Sequence, residues 1–198
     1  MKKLSLLFAI VFTLLFAGCS SKEVFQPKLV KDDWAFHGTS QEKIVDVSSD
    51  VAMLESRKVL LKDRVIETTI EESYRLLGSS DGWVISSTID GQLIIDFIED
   101  KSMKKKFNLK KTIAGASIKD DILAVLFADN EMALYSISEE SLLVKVQGTT
   151  PIVVDSRIVN PYFMNDLVLF LTLDGKVVIV NSKLKKKLRT TIVSSEDN

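Results

Sequence analysis

The chain has 198 residues, a formal net charge of −1 and 46% hydrophobic residues, a near-neutral balance that argues against a general nucleic-acid binder. Cys19 is the only cysteine and His37 the only histidine, so an intramolecular disulfide is excluded and no second cysteine or histidine is available to hold a metal with either.

Lys2-Lys3 precede an apolar run from Leu4 to Ala17, and the run ends at Gly18-Cys19-Ser20-Ser21. It is shorter than the roughly 20 residues that span a bilayer and reads as an export signal over residues 1–18. Phe16-Ala17-Gly18-Cys19 resembles a bacterial lipobox, in which small residues admit the signal peptidase and the cysteine thiol carries a diacylglycerol. Phe16 departs from the aliphatic residue usual in that pattern, and the rival reading is an ordinary secretory signal with an incidental Cys19. Lipidation at Cys19 implies stable membrane anchoring, because each buried methylene contributes about 0.8 kcal/mol and a second acyl chain turns marginal binding into firm attachment. Ser20, where an aspartate would signal retention in the inner membrane, points to the outer membrane, facing the periplasm. Loss of Lys2 and Lys3 with the signal moves the formal charge from −1 to −3.

Residues 19–49 read as a lipidated N-terminus and tether, with Pro27 and the charge cluster Lys31-Asp32-Asp33. Trp34 and Phe36 are expected to plug a groove on the following domain, the rival reading being a partner-docking segment, and His37 is assigned no role. Residues 50–198 carry the folded part. Short apolar bursts at Ile44 to Val47, Val51 to Leu54, Val59 to Ile66 and Thr68 to Ile70 are β-prone, with a turn at Ser56-Arg57, and make an incomplete match to one blade.

The clearest signal is a repeated hairpin. Val84 to Ile89 leads into Asp90-Gly91 and returns as Gln92 to Asp96; Ile122 to Phe127 leads into Asp129-Asn130; Leu167 to Leu173 leads into Asp174-Gly175. Asp-Gly suits a two-residue type I′ turn, with positive φ at both central positions. Asp90, Asp129 and Asp174 lie 39 and 45 residues apart, and a hairpin recurring at roughly 40 to 45 residues is the signature of a β-propeller blade. A segment before each hairpin, such as Ala114-Gly115-Ala116-Ser117, supplies an innermost strand whose small residues suit the crowded axis, and a segment after it supplies an outermost fourth strand. The fold class is therefore all-β: a β-propeller of four-stranded antiparallel blades, incomplete, with three clear blades and one doubtful. Such a count leaves an open end, so the chain is expected to be part of a longer protein or to close by association.

Lysines crowd two of the fourth strands: Lys101, Lys104, Lys105, Lys106, Lys110 and Lys111 around one, Lys183, Lys185, Lys186, Lys187 and Arg189 around the other. Charge on an edge strand opposes aggregation; the rival reading is a basic patch for an anionic partner such as lipopolysaccharide or lipid headgroups. Asp81, Asp120, Asp121 and Asp166 recur in the turns before the hairpins, where aspartate bonds its own backbone; carboxylates gathered at one rim could instead hold calcium.

The lipobox cysteine, the irregular tether and the aspartate-led hairpins resemble the pyrroloquinoline-quinone-type propeller lipoproteins. The resemblance implies a non-enzymatic scaffold in the cell envelope, with the barrel-forming subunit of the outer-membrane assembly machine as a partner. The family's blade motif continues with a Thr-Gly pair and a tryptophan, of which only Ala128-Asp129 matches the start, so no quinone and no other cofactor is expected. No Gly-rich phosphate loop, metal-ligand cluster or nucleophile motif is present, and no catalytic residue is assigned. The alternatives are a degenerate quinoprotein-like or other envelope enzyme, and a surface adhesin or host-factor binder. The membrane, through the lipid, and an envelope protein are the expected partners; nucleic acid is not.

Overall fold

The computed structural model describes residues 41–150 and 159–192. Among the described residues every regular element is a strand, and the strands make four antiparallel sheets of four. The first sheet contains β1 (Ile44–Val47), β2 (Ala52–Leu54), β3 (Lys58–Leu60) and β4 (Val65–Thr69); the second β5 (Arg75–Ser80), β6 (Trp83–Ser87), β7 (Gln92–Phe97) and β8 (Lys104–Asn108). The third contains β9 (Ile113–Lys119), β10 (Ile122–Phe127), β11 (Met132–Ser136) and β12 (Ser141–Val146); the fourth β13 (Tyr162–Met164), β14 (Leu167–Leu171), β15 (Lys176–Asn181) and β16 (Lys186–Ile192). Within each sheet strand order follows chain order, as in propeller blades.

The first strands β1, β5, β9 and β13 lie beside one another in sequence order, so they form the inner side of an arc. The middle strands are apolar on both faces because blades cover them on both sides: every residue of β6 is buried, as are five of the six in β10. Fourth strands face outward, and all seven residues of β16 are exposed. Three apolar cores lie between successive sheets. Val51, Met53, Val59, Ile66 and Val84 join the first to the second; Ile85, Leu93, Ile95, Leu123, Val125 and Phe127 join the second to the third; Leu126, Leu134, Val168, Phe170 and Val180 join the third to the fourth.

The region that reads as a doubtful blade is a complete four-stranded sheet, and its first strand starts at Ile44, inside the stretch read as tether. Its turn signal is weak because Arg57 occupies the left-handed position, φ 63°, where glycine or asparagine is usual. What holds Arg57 there is its guanidinium, which donates to the carbonyls of Ile70 at 2.6 Å and Tyr74 at 2.8 Å. The turn residue of the first blade thus also caps the link into the second.

Candidate functional site

The hairpin turns differ from the expected type. Gly91 N–H donates to Thr88 O at 3.3 Å, and Thr88 N–H to Gln92 O at 2.9 Å; φ is 88° at Gly91 and is not positive at Asp90. This is a three-residue loop, a type I turn closed by one left-handed residue, and the two-residue type I′ expectation is corrected. The same pattern closes the other two hairpins, at Asn130 with φ 63° and Gly175 with φ 74°. A threonine hydroxyl braces two of the three loops: Thr88 donates to the Asp90 carboxylate and accepts from Gln92 N–H at 3.0 Å, and Thr172 donates to Asp174 at 2.5 Å, whereas Phe127 holds the equivalent position before Asp129-Asn130. A turn with positive φ at both positions does occur, at Asp81-Gly82 between β5 and β6, with φ 52° and 78°.

These loops also couple neighbouring blades. A Cβ at Gly91 would lie 2.5 Å from the backbone nitrogen of Lys111, so the glycine is needed for contact with the next blade's entry as well as for its φ. Thr112 Oγ1 donates to Ile89 O at 2.6 Å, and Ala128 N–H to Thr112 O at 2.9 Å. Asn130 is fully buried: its amide donates to Thr149 O at 2.9 Å, and its Oδ1 accepts from Leu173 N–H at 2.8 Å in the fourth blade's loop. Lys111 bridges Asp129 at 2.7 Å and Glu131 at 3.1 Å. Burial pushes the Asp129 carboxyl up, but the Lys111 ammonium and the Glu131 N–H outweigh it and hold its pKa below the ordinary value. The Asp174 carboxyl is likewise held low against burial by Lys176 and Thr172.

At the axis, the inner edges of the first strands are capped by side chains. Asp46 accepts from Leu76 N–H at 3.2 Å and Asp50 from Ser79 N–H at 3.1 Å; Ser80 Oγ accepts from Ile118 N–H at 2.7 Å. Asn160, just before β13, donates to Leu77 O at 3.0 Å and accepts from Ala116 N–H at 3.2 Å. A Cβ at Gly78 or Gly115 would lie 2.7 Å or 3.0 Å from the Asn160 side chain, which explains both glycines. A lone asparagine beside Pro161 carries no sequence signal of a bond to residues so distant in the chain.

Two of the four turn carboxylates have separate bonding duties, while Asp120 and Asp166 line one surface cavity together with Lys119. Asp81 accepts from Asp120 N–H at 2.6 Å, and Asp121 accepts from the Ser136 hydroxyl at 2.6 Å and Ser138 N–H at 2.7 Å. Among the described residues, no three His, Cys, Asp or Glu side chains group as metal ligands would.

The two lysine clusters have different surroundings. On β8, Lys104 pairs with Glu71 at 3.2 Å and Lys105 with Glu140 at 3.3 Å, so these cations tie the second blade to its neighbours. Burial raises the Asp96 carboxyl above its ordinary pKa, against the pull of Lys104 at 3.7 Å. At the fourth blade's edge, Lys183, Lys185, Lys186, Lys187 and Arg189 are all exposed, and none has an ion-pair partner among the described residues. Leu184, Leu188 and Ile192 stand exposed among them. This basic, partly apolar outer strand is the candidate interaction surface. Cys19, Trp34, Phe36 and His37 lie outside the described residues.

No family model matches the chain. It is 23% identical over 218 aligned positions to the plasminogen-binding protein PgbB of Helicobacter pylori, in two strains, covering 88% of this chain and 40% of that protein. The chain thus spans about two fifths of the length of the curated relatives it matches. Among solved structures it resembles BamB from Moraxella catarrhalis, with a TM-score of 0.60, 15% identity, and coverage of 79% of this chain and 50% of that one. It also resembles the computationally designed protein Ika4, with a TM-score of 0.52, 16% identity, and coverage of 68% of this chain and 82% of that one. These likenesses show the fold, a β-propeller.

Proposed function

We propose that the chain is an envelope-associated, non-enzymatic scaffold that binds another protein through the basic edge of its fourth blade and is held to the membrane by acyl chains on Cys19. The observation that carries this reading is the contrast in how charges are used. Asp81, Asp121, Asp129, Asp174 and the β8 lysines are engaged with neighbouring groups, whereas the five cations at the β16 edge are exposed and unpaired among the described residues. Unpaired cations interleaved with exposed Leu184, Leu188 and Ile192 suit an acidic protein surface with apolar patches.

Plasminogen is the first partner to test, because the relative in sequence is named for binding it. The barrel-forming subunit of the outer-membrane assembly machine is the second, resting on the layout of lipobox, tether and propeller; that partner requires the protein to sit on the outer membrane, facing the periplasm. The experiment is crosslinking capture from native membranes with the full chain tagged at its C-terminus, beside a plasminogen binding assay. Capture of either protein, lost when Lys185, Lys186, Lys187 and Arg189 are changed to glutamate, supports the reading. Binding indifferent to those changes, or no envelope or host protein captured, overturns it.

A further inference from the structure

The junction between the third and fourth sheets repeats the junction between the second and third with smaller side chains. Phe127 and Thr172 hold equivalent places, each two residues before its hairpin aspartate; Lys111 and Thr149 do so too, each three residues after its blade's fourth strand. Between the second and third sheets the space is occupied. Phe127 is 1% exposed, and the Lys111 ammonium lies 5.9 Å from its ring centroid while reaching Asp129 at 2.7 Å and Glu131 at 3.1 Å. Between the third and fourth, a threonine replaces the aromatic ring and another replaces the long lysine stem, and a cavity of about 260 Å³ stands there.

The cavity has an apolar floor and a polar wall. Met132 and Val178, 1% and 4% exposed, form the floor. The hydroxyls of Thr149, Thr172 and Thr190 and the Gln147 amide line the wall, with the Asp174 carboxylate and the ammonium groups of Lys176 and Lys187. Lys176 donates to Thr149 Oγ1 at 3.1 Å and pairs with Asp174, which also accepts from Thr172 Oγ1 at 2.5 Å. Lys187 is exposed and has no ion-pair partner among the described residues, so the cavity carries one cation in excess. The wall is set before any ligand arrives: Asn130 Nδ2 donates to Thr149 O at 2.9 Å, and a Cβ at Gly148 would collide with Asn130 O.

Each feature selects a property of the ligand. The volume admits one ring and not a chain, since drug-sized sites run to roughly 300–1,000 Å³. Hydroxyl and amide groups side by side suit a molecule that both donates and accepts at several positions, as ring hydroxyls do. The floor suits the C–H face of such a ring, and Lys187 suits a carboxylate on it. We infer that the cavity binds a single acidic sugar, a hydroxylated ring bearing one carboxylate, with the carboxylate on Lys187 and the hydroxyls on Gln147, Thr149 and Thr190.

The test is a titration of the full chain carrying Cys19→Ser, in a mild detergent, followed by amide shifts in nuclear magnetic resonance with glucuronate and glucose as probes. Glucuronate should give saturable shifts at Gly148, Thr149 and Lys176, at about tenfold lower concentration than glucose. Thr172→Phe should abolish both responses; the same loop already closes on Phe127, so the variant should fold. Lys187→Gln, at an exposed position, should remove the preference for glucuronate and keeps the test decisive if the phenylalanine variant fails to fold. No saturable shift with glucuronate overturns the inference, as does a response that Thr172→Phe leaves unchanged in a folded protein, or a preference for glucuronate that survives Lys187→Gln. Thr172→Phe keeps all five cations of the β16 edge, so capture of a protein by that edge is read separately.

Discussion

The second and fourth blades present the same lattice of positions in two environments. In the second, Ile85 and Ile95 are sealed by the third blade and Lys105 is bonded to it. In the fourth, Leu169 and Ile179 are partly open and Arg189 is unpaired among the described residues. A blade's sequence is therefore set by the neighbour it expects: hydrophobic residues along the middle strands say that something packs there, whether or not the described arc contains it. The difference between the blades lies in what covers them, not in the residue types they carry.

Ile95→Asp and Ile179→Asp break the comparison most strongly. At 95 the carboxylate would be buried without a partner, costing several kcal/mol and abolishing folding. At 179, where the face is partly open, circular dichroism of the variant should stay native. Next comes Asn160→Ala, which orphans Leu77 O and Ala116 N–H at the crowded axis and should lower stability by about 1–3 kcal/mol in denaturant titration. Gly91→Ala should also destabilise, because the backbone of Lys111 leaves no room for a Cβ and φ is positive; loss of denaturation midpoint reads it.

Lys105→Ala and Arg189→Ala are a finer pair. The first should lower the stability of a dilute sample by up to about 1 kcal/mol, while the second should leave it unchanged. The smallest effect is with pH. Asp121, Asp129 and Asp174 have pKa values below their ordinary ones, so their contribution is present above the unfolded-state pKa, about 4, and is lost as pH falls through the lower folded-state values. The melting temperature should therefore drop below about pH 4, and Asp129→Asn should flatten part of that drop. Asp96, whose pKa is raised by burial, works in the opposite direction.

Blade period, strand order and the outward placement of the fourth strands were legible in the sequence, because alternation and turn dipeptides are local signals. The first blade was only half legible, since Arg57 does in the left-handed region what glycine does elsewhere, and its reason is a set of carbonyls beyond the next strand. Turn type was misread because Asp-Gly fits two kinds of hairpin, and the loop length that separates them is not written in the dipeptide: the same three-residue loop closes on Thr88, Thr172 and Phe127 alike. The two lysine clusters look alike in sequence; only the arrangement of blades pairs Lys105 with Glu140 and leaves Arg189 without a partner among the described residues.

The most direct measurement is thiol labelling of Ile95→Cys and Ile179→Cys, each in a Cys19→Ser chain, in dilute solution. The thiol at 95 should be protected, whereas the thiol at 179 should react readily. Protection at 179 equal to that at 95 in dilute solution would contradict the account, because the fourth blade's face would then be covered within a single chain.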